Sequence, residues 1–462
     1  MTAMRHTRYG WWLEEAGIVD PVPPLATDTR ADVVIVGGGY LGLWTAWQLK
    51  QLEPNADVVV LESQLAGHGP SGRNGGFVST LWDDLPLLRE SLGDRRAVEV
   101  CTASERAVRE IGTWCEQHEV DAWYQAAGTL QVATNRAQLG AWSGLVEACR
   151  AVGAHDTMEQ LDGARTRARC NSPLFLGANY LRLAATVQPA RLALGLRRHV
   201  LEAGVRLFER TPVSDLDYTG TARTSRGTVT AGAVVLALNS ALPGFPGFRC
   251  SAATASSHIV ITEPVPDVLE ELGWTGGEAI HDCRTLLHYL RTTRDGRIAF
   301  GWGGGRMGFG GKLPRGVEID KGVAERTRES LLRFFPQLAV RKVEMAWGGP
   351  IDVSPTHLPI FGMRERTAFG FGFTGNGVGP SYLGGEILAR LALDRRDEIT
   401  GLGLVEPDRK LFPPEPLRWL GGTVIRQAIL RADAAADHDR LADPVSRLVA
   451  ALPRKLGLHL PR

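Results

Sequence analysis

Asp32-Val-Val-Ile-Val-Gly-Gly-Gly-Tyr-Leu-Gly42 is the most informative stretch of this 462-residue chain. Its β-branched run, Val33–Val36, predicts a strand that is buried on both faces. Gly37, Gly39 and Gly42 follow at the G-x-G-x-x-G spacing, and an amphipathic helix pattern begins directly after them. Each glycine serves a physical need: a tight turn, close approach to a pyrophosphate, or close packing of helix on strand. The stretch therefore predicts a strand, a phosphate-binding turn and a helix.

A second strand and an acidic residue make this turn more specific. Asp57–Leu61 predicts a buried strand that ends at Glu62, twenty residues after Gly42. An acidic residue at this distance binds a ribose hydroxyl in dinucleotide sites. The helix N-terminus supplies free N–H groups and a positive dipole end for the phosphates. A glycine-rich turn without a ligand would not need all of these features, so we expect the chain to bind an adenine dinucleotide.

Composition and charge narrow the class of protein. The chain is 44% hydrophobic and 22% charged, as in a globular protein with room for two domains. A net charge of +1 gives no electrostatic reason to expect nucleic acid as a partner. No apolar stretch is long enough to span a bilayer, and the N-terminus lacks the apolar region of a signal peptide. The six cysteines form no CxxC pair and no metal-ligand spacing, so we expect a cytoplasmic protein with reduced thiols and no metal.

Two further loops favour FAD over NAD. The first is Gly69–Phe77, shortly after Glu62, and the second is Gly375–Gly379, just before a helix predicted at Tyr382–Leu393. A nicotinamide-dependent dehydrogenase needs neither loop. A flavoprotein packs one glycine-rich loop against the ring and places a helix N-terminus at the pyrimidine edge, where the reduced ring becomes negatively charged.

From about residue 31 to about residue 393, the chain resembles the D-amino acid oxidase-like superfamily of FAD-dependent oxidoreductases, which includes glycine and sarcosine oxidases. Ser71-Gly-Arg-Asn-Gly-Gly76 and Ala184-Ala-Thr-Val-Gln-Pro-Ala-Arg-Leu192 are most similar to the γ-glutamylputrescine oxidase branch. Trp347-Gly-Gly-Pro-Ile-Asp352 and Gly372-Phe-Thr-Gly-Asn-Gly377 resemble the C-terminal flavin motif of the family. The combination is specific for the family, but it does not specify the substrate.

The resemblance and the patterning together imply an α/β fold with a discontinuous domain. We expect a Rossmann-like FAD-binding domain, an inserted β-rich α+β substrate domain and a helical C-terminal tail. The expected boundaries are 1–30 for an N-terminal leader, 31–122, 180–245 and 347–395 for the FAD-binding domain, 123–179 and 246–346 for the substrate domain, and 396–462 for the tail.

The resemblance also implies which residues hold the cofactor. The pyrophosphate would lie on Gly37, Gly38, Gly39, Tyr40, Leu41 and Gly42, the adenosine ribose on Glu62, and the adenine against the backbone of Val213. The isoalloxazine ring would be lined by Ser71, Arg73, Asn74 and Gly75, and on its pyrimidine side by Gly375, Asn376, Gly377 and Val378. Some relatives bind FAD covalently through a cysteine near the C-terminus. Because no cysteine follows Cys283, we expect non-covalent FAD.

The implied reaction is oxidation of an amine to an imine, which hydrolyses to a carbonyl compound, with O2 as acceptor and hydrogen peroxide as product. Tyr289 and His288 are neighbours on a predicted strand of the substrate domain, so their side chains point to opposite faces. We expect Tyr289 to reach the ring, whereas His288 fits a core histidine equally well. Lys312 is the one lysine in the region where related oxidases place a lysine for O2 reduction, and a solvated loop lysine is the alternative. His258 and His68 are further candidates, each with a purely structural alternative.

The carboxylate clamp of amino-acid oxidases is missing from its expected positions. Gly379 stands where sarcosine oxidase has a lysine, and Phe77–Asp83 contains no arginine. This favours an amine whose anionic group, if it has one, lies far from the reacting carbon. Two alternatives remain: a dehydrogenase of the same fold that reduces a quinone or a protein partner, and a non-redox protein with structural FAD. The Arg-rich tail would serve as a docking surface for a membrane or partner, or would simply pack on the body or form a homodimer.

Overall fold

The computed structural model describes residues 4–407 and 410–455. The strands in this part of the chain are β1 (Arg5–His6), β2 (Thr29–Val36), β3 (Val58–Leu61), β4 (Phe77–Val78), β5 (Thr129–Ala133), β6 (Met158–Asp162), β7 (Gly177–Leu181), β8 (Ala185–Thr186), β9 (Arg206–Phe208), β10 (Val213–Asp217), β11 (Thr221–Thr224), β12 (Thr228–Leu236), β13 (Ala253–Thr262), β14 (Ala279–Asp282), β15 (His288–Thr292), β16 (Ile298–Trp302), β17 (Val343–Val353), β18 (Ile360–Arg364) and β19 (Thr367–Phe371). The α-helices are α1 (Trp11–Ala16), α2 (Tyr40–Leu52), α3 (Leu85–Leu92), α4 (Asp94–Gln117), α5 (Ser143–Ala151), α6 (Gly163–Arg169), α7 (Pro189–Glu202), α8 (Pro266–Glu271), α9 (Lys321–Phe334), α10 (Val378–Ala392), α11 (Leu417–Ala436) and α12 (Pro444–Lys455).

The glycine turn lies at the centre of the first sheet. The strand order is β10-β11-β12-β2-β3-β9, in which β12, β2, β3 and β9 run parallel, and β19 joins β12 in parallel. Val33 and Ile35 pack under α2, α7 and α10, whereas Val34 and Val36 pack on the other face of the sheet. The strand is therefore buried on both faces, as its unbroken β-branched run predicts.

The second sheet has nine strands, mostly antiparallel, in the order β1-β17-β13-β16-β15-β14-β5-β7-β6. One face packs under α9, where Leu290, Phe300 and Phe334 share a core cluster. The opposite face packs with Trp12 of α1 and carries Trp347 and Tyr289. The sheet thus has one face in the core and one face that is turned toward the N-terminal residues and toward the loops predicted to contact the flavin, Gly69–Phe77 and Gly375–Gly379.

The domain division stays a prediction, and the structure places two of its boundaries inside strands. β5, β6 and β7 hydrogen-bond into the same sheet as β13–β17, so residues 123–179 and 246–346 share one sheet. However, β7 continues to Leu181 and β17 continues to Val353 within that sheet. At the boundary in β17, Gly348, Gly349 and Pro350 are residue types that favour a turn, yet all three pair with β13 and the strand continues.

The helix after the second glycine-rich loop begins earlier than predicted. The expected start was Tyr382, whereas α10 begins at Val378, with Gly377 as its N-cap residue. Pro380 lies in the first turn, where a missing N–H group removes no hydrogen bond within the helix. The proline therefore does not delay the helix, and the second glycine loop leads directly into the helix N-terminus.

The C-terminal helices pack on α9 and on the loop after β16. In α11, Arg426 donates to the carbonyl oxygen of Gly304 at 2.6 Å, and Asp437, just past its end, pairs with Arg333 at 2.8 Å. α12 in turn packs on α11. Within residues 4–407 and 410–455, no helix is both long and apolar enough to cross a bilayer.

Candidate active site

The turn after β2 has the geometry that its glycines require. Gly37 has a φ of 112°, a conformation that disfavours other residues. A Cβ atom on Gly42 would lie 1.9 Å from the carbonyl oxygen of Gly37, so the helix can approach the strand only without a side chain there. Among the described residues, the N–H groups of Gly39, Leu41 and Gly42 have no hydrogen-bond partner, as in the first turn of a helix. These donors are suited to a phosphate.

Glu62 lies beside this turn, at the end of β3. Its Oε2 accepts a hydrogen bond from the N–H group of Gly38 at 2.8 Å, and its Oε1 accepts one from Gln64 at 2.7 Å. The N–H group of Thr211 donates to the Glu62 carbonyl oxygen at 2.8 Å, so the start of β10, with Val213, lies near Glu62. The ribose and adenine contacts of Glu62 and Val213 stay predictions, and these bonds place both residues at one end of the turn.

The first glycine loop is held in shape by its own asparagine. Asn74 donates to the carbonyl oxygen of Ser71 at 2.7 Å and accepts from the N–H group of Gly76 at 2.7 Å. The Ser71 hydroxyl accepts from the N–H group of Tyr40 at 2.8 Å, which fixes the loop to the start of α2. Arg73 turns its guanidinium to the carbonyl oxygen of Arg8 in the leader, at 3.1 Å. The loop backbone, rather than the Arg73 side chain, is therefore available to a ring.

The second glycine loop lies against the continuation of the first. Asn376 donates to the carbonyl oxygen of Thr80 at 3.3 Å, and Gly375 has a φ of 90°. A Cβ atom on Gly379 would lie 2.3 Å from the carbonyl oxygen of Ser79, so a lysine at this position would displace the backbone. The two loops predicted to contact the ring thus meet in space, and the N-terminus of α10 lies at their junction.

Asp352 supports the second loop, a role that the sequence analysis did not assign. Its Oδ2 accepts from the N–H group of Gly372 at 2.5 Å and its Oδ1 accepts from Asn239 at 3.0 Å. The side chain is fully buried, and burial raises the pKa of Asp352 to about 7. The available signal was the Trp347–Asp352 motif, which was recognised as a resemblance without a role for its carboxyl group.

Tyr289 is the predicted catalytic residue that the structure places next to a flavin loop. Its ring packs on Gly75, where an added Cβ atom would lie 2.9 Å from Cε2, and it meets Phe77 edge-on at a centroid distance of 5.9 Å. Its hydroxyl lies 2.7 Å from Oγ of Ser257 on β13. Burial raises the pKa of Tyr289 to about 12, so it stays neutral at physiological pH. Ser257 was not predicted, because a single serine on a strand carries no signal.

His288 and Lys312 lie elsewhere. His288 faces the core side of β15, with Nδ1 at 2.7 Å from Oδ2 of the buried Asp282 and its ring against Phe334. Lys312 is exposed in a turn that is closed by a 2.9 Å bond from the Phe309 N–H group to its carbonyl oxygen. Its ammonium group makes no hydrogen bond or ion pair with any described residue. The structure therefore brings neither residue to Tyr289, and their catalytic roles stay untested predictions.

The two other histidine candidates also have structural surroundings. Nε2 of His258 lies 2.7 Å from the carbonyl oxygen of Val317, and burial lowers its pKa. His68 follows the glycine turn in sequence and meets the ring of Tyr9 in the leader at 5.9 Å. Neither imidazole hydrogen-bonds the hydroxyl of Tyr289 or of Ser257, although His258 follows Ser257 on β13.

The site combines a glycine turn of the dinucleotide-binding type with two glycine loops. Both loops lie against the same face of the second sheet. The family model of FAD dependent oxidoreductases, DAO, matches residues 32–391. The chain belongs to the DAO family. The match spans both glycine loops and the substrate-domain sheet, so the predicted family is confirmed.

Individual relatives agree with this assignment. The chain is 29% identical to γ-glutamylputrescine oxidoreductase of Escherichia coli over 377 residues, which cover 80% of this chain and 85% of that protein. It is 28% identical to probable oxidoreductase OrdL of Rhizobium meliloti over 436 residues, which cover 91% and 95%. Among solved structures, glycine oxidase from Geobacillus kaustophilus superposes with a TM-score of 0.66 at 21% identity and covers 80% of this chain and 96% of that one. The similarity to this glycine oxidase structure shows a shared fold.

This DAO-family protein is an FAD-dependent oxidoreductase, and its residues fit the cofactor. The free N–H groups at the start of α2 suit the pyrophosphate, and Glu62 suits the adenosine ribose. The Ser71–Gly76 backbone and the N-terminus of α10 would hold the ring. FAD as cofactor, the α/β fold and the family were all predicted from the sequence.

Proposed function

We propose that this enzyme oxidises a primary or secondary amine to an imine, which water converts to a carbonyl compound, and that O2 is reduced to hydrogen peroxide. The observation that carries the proposal is the hydroxyl pair of Tyr289 and Ser257, beside the flavin loop at Gly75. FAD, when bound, supplies the two-electron acceptor for this chemistry. The protein's part is to position a neutral amine.

The hydrogen bonds of the pair fix what it offers a substrate. Ser257 lies 3.0 Å from the carbonyl oxygen of Trp302, which can only accept, so the Ser257 hydroxyl donates there. Ser257 Oγ must then accept the proton of Tyr289. The Tyr289 oxygen consequently keeps its lone pairs for an N–H group of the substrate. An acceptor in this place suits a substrate that donates an N–H group, as an amine does.

The position where sarcosine oxidase has a lysine offers no cation to an α-carboxylate, because Gly379 stands there. Gly379 is backed by Ser79 and cannot hold a lysine without a backbone shift, and Ile351 on β17, which lies beside Gly375 of the second glycine loop, is apolar. The name of the E. coli relative supports an amine with a long acyl substituent. Relatives named sarcosine oxidase subunit beta support a secondary amine as a further possibility within the same class.

A second candidate is a dehydrogenase that passes electrons to a quinone or a partner protein. The exposed apolar residues Val445 and Leu448 on α12, at 69% and 58% exposure, favour it, because they offer a docking surface on the tail. The name of another relative, human mitochondrial sarcosine dehydrogenase, is compatible with this acceptor class.

The test is oxidation of an amine panel by purified holoenzyme, with peroxide and carbonyl product measured together. The panel contains diamines, N-acylated diamines, N-methyl amino acids and α-amino acids. One peroxide for each carbonyl from an amine without an α-carboxylate supports the proposal. Carbonyl without peroxide, when a soluble quinone is supplied, supports the dehydrogenase. No carbonyl from any amine contradicts both.

A further inference from the structure

A buried guanidinium without an acidic partner lies next to the flavin loop. Arg291 is 4% exposed, and its Nη1 donates to the carbonyl oxygen of Gly76 at 3.3 Å and to that of Val187. None of the described carboxylates pairs with it, and its Nη2 has no hydrogen-bond partner in the same part of the chain. Burial lowers the pKa of Arg291 to about 9. A buried cation of this kind is costly, and an anionic ligand would offset the cost.

Arg291 opens onto a cavity of about 300 Å³. Trp123 and Tyr124 provide an aromatic wall, Gln125 an amide, and Arg294 a second guanidinium. Arg294 pairs with Asp121 at 2.7 Å, and Arg191 pairs with Asp121 at 3.2 Å and with Glu15 at 2.6 Å. The three arginines thus face two carboxylates, and the charge of Arg291 stays unpaired among the described residues. The volume and the mixture of apolar walls with a few polar groups suit part of a small ligand.

Trp123 adds an independent indication of a built site. Its φ is 54°, a left-handed conformation that is strained for a bulky residue. Its ring is nevertheless held in place between the guanidinium groups of Arg191 and Arg294, at 5.1 and 5.5 Å from the ring centroid. Strain of this kind persists where surrounding contacts fix a side chain, and it concentrates at binding sites.

The cavity is displaced from the hydroxyl pair along the same strand face. Tyr289 and Arg291 are two residues apart on β15, so they share a face and lie about 7 Å apart along the strand. Tyr289 packs on Gly75, and Arg291 bonds to the next residue, Gly76. An α-amino acid has its carboxylate one carbon from the reacting nitrogen and cannot span this separation. A carboxylate several bonds farther along the substrate can.

We propose that this cavity binds a carboxylate at the far end of the amine substrate. The substrate class is then an extended amine, such as an N-acylated diamine whose acyl group ends in a carboxylate. This inference rests on the proposed amine oxidation, and it names a specificity site within it. Arg291 forms the main contact, Arg294 adds a second charge, and Trp123 packs against the acyl chain.

The experiment compares two amines of equal length on the holoenzyme: an N-glutaryl diamine and its terminal amide. Anaerobic flavin reduction gives an apparent Kd and a maximal rate for each. Calorimetry with glutaric acid monoamide, which has no amine to oxidise, reports binding without turnover. The variants are Arg291→Met, Arg291→Lys and Arg294→Gln. The control is Arg226→Gln, because Arg226 lies on an exposed turn between β11 and β12.

We expect the parent enzyme to bind the carboxylate form at least about tenfold more tightly than the amide. Arg291→Met should bring the two apparent Kd values within about twofold, with Arg294→Gln and Arg291→Lys intermediate. No preference in the parent, or equal weakening of both amines in every variant, overturns the inference but leaves amine oxidation intact. If neither amine reduces the flavin, the full amine panel decides whether the enzyme oxidises amines. Calorimetry then decides the cavity: binding that Arg291→Met or Arg294→Gln weakens supports the anion site, and no binding overturns it.

Discussion

Substitution of Gly42 by alanine separates two opposing effects. A helical Gly→Ala change ordinarily stabilises by about 1 kcal/mol, because alanine restricts the unfolded chain and favours the helix. At Gly42, however, the new Cβ atom would lie 1.9 Å from the carbonyl oxygen of Gly37 and 3.3 Å from the Ile35 side chain. Helix and strand must move apart by more than about 1 Å to remove this clash, because non-bonded carbon and oxygen atoms lie at least about 3 Å apart.

The expected result is a loss of both stability and cofactor. Overpacking of this kind costs about 1–3 kcal/mol, so the gain in helix propensity is offset or exceeded. The same shift moves the free N–H groups of Leu41 and Gly42 away from the pyrophosphate position. We expect FAD affinity to fall by at least about tenfold, which corresponds to about 1.4 kcal/mol.

Fluorescence titration of apoprotein with FAD measures the affinity, and urea denaturation measures the free energy of unfolding. Gly421→Ala is the matched control, because Gly421 is inside α11 and an added Cβ atom meets nothing within 4 Å. The control should retain FAD affinity and gain up to about 1 kcal/mol of stability. If Gly42→Ala behaved like Gly421→Ala, the close approach of strand and helix would not govern cofactor binding.

Three further predictions concern the site and its support. Tyr289→Phe removes the acceptor for the amine N–H group, so kcat/KM should fall about fivefold or more with unchanged FAD content, measured by steady-state kinetics; an unaltered value would remove Tyr289 from the site. Because burial raises the pKa of Asp352 to about 7, the folded state keeps a proton that the unfolded carboxyl releases above about pH 4. This group therefore makes the free energy of unfolding fall as pH rises from about 4 to about 7, and the fall should be shallower in Asp352→Asn. Urea denaturation at a series of pH values measures it, and the same change of unfolding free energy with pH in both proteins would contradict the prediction. Acid precipitation should release all flavin into the supernatant, whereas a yellow pellet would reveal a covalent bond that the sequence does not predict.

The parts of the fold that follow from local pattern were predictable. The strand at Val33–Val36 and the glycine turn that follows it are each determined by a few neighbouring residues, because burial and turn geometry act locally. The family motifs extended this to FAD and to the convergence of the two loops. α10 begins four residues before its predicted start, and Pro380 lies in its first turn, where a proline is tolerated.

The chemistry of the substrate face was less accessible, because it depends on pairs that are distant in sequence. Strand alternation separated Tyr289 from His288, but only the structure shows Ser257 beside Tyr289 and Asp282 beside His288. Arg291 lies two residues after Tyr289, yet its burial against Gly76 has no signal in its sequence neighbours. Phe77–Asp83 contains no arginine, and the arginine that bonds to Gly76 comes from β15, more than 200 residues farther along the chain.

Anaerobic titration of the holoenzyme with the amine panel tests the central claim most directly, because flavin reduction reports the substrate without assuming an acceptor. The account predicts rapid loss of the flavin's visible absorbance with at least one extended amine, slower loss in Tyr289→Phe, and little response to α-amino acids. Retained FAD that no amine reduces, or fastest reduction by an α-amino acid, would contradict it.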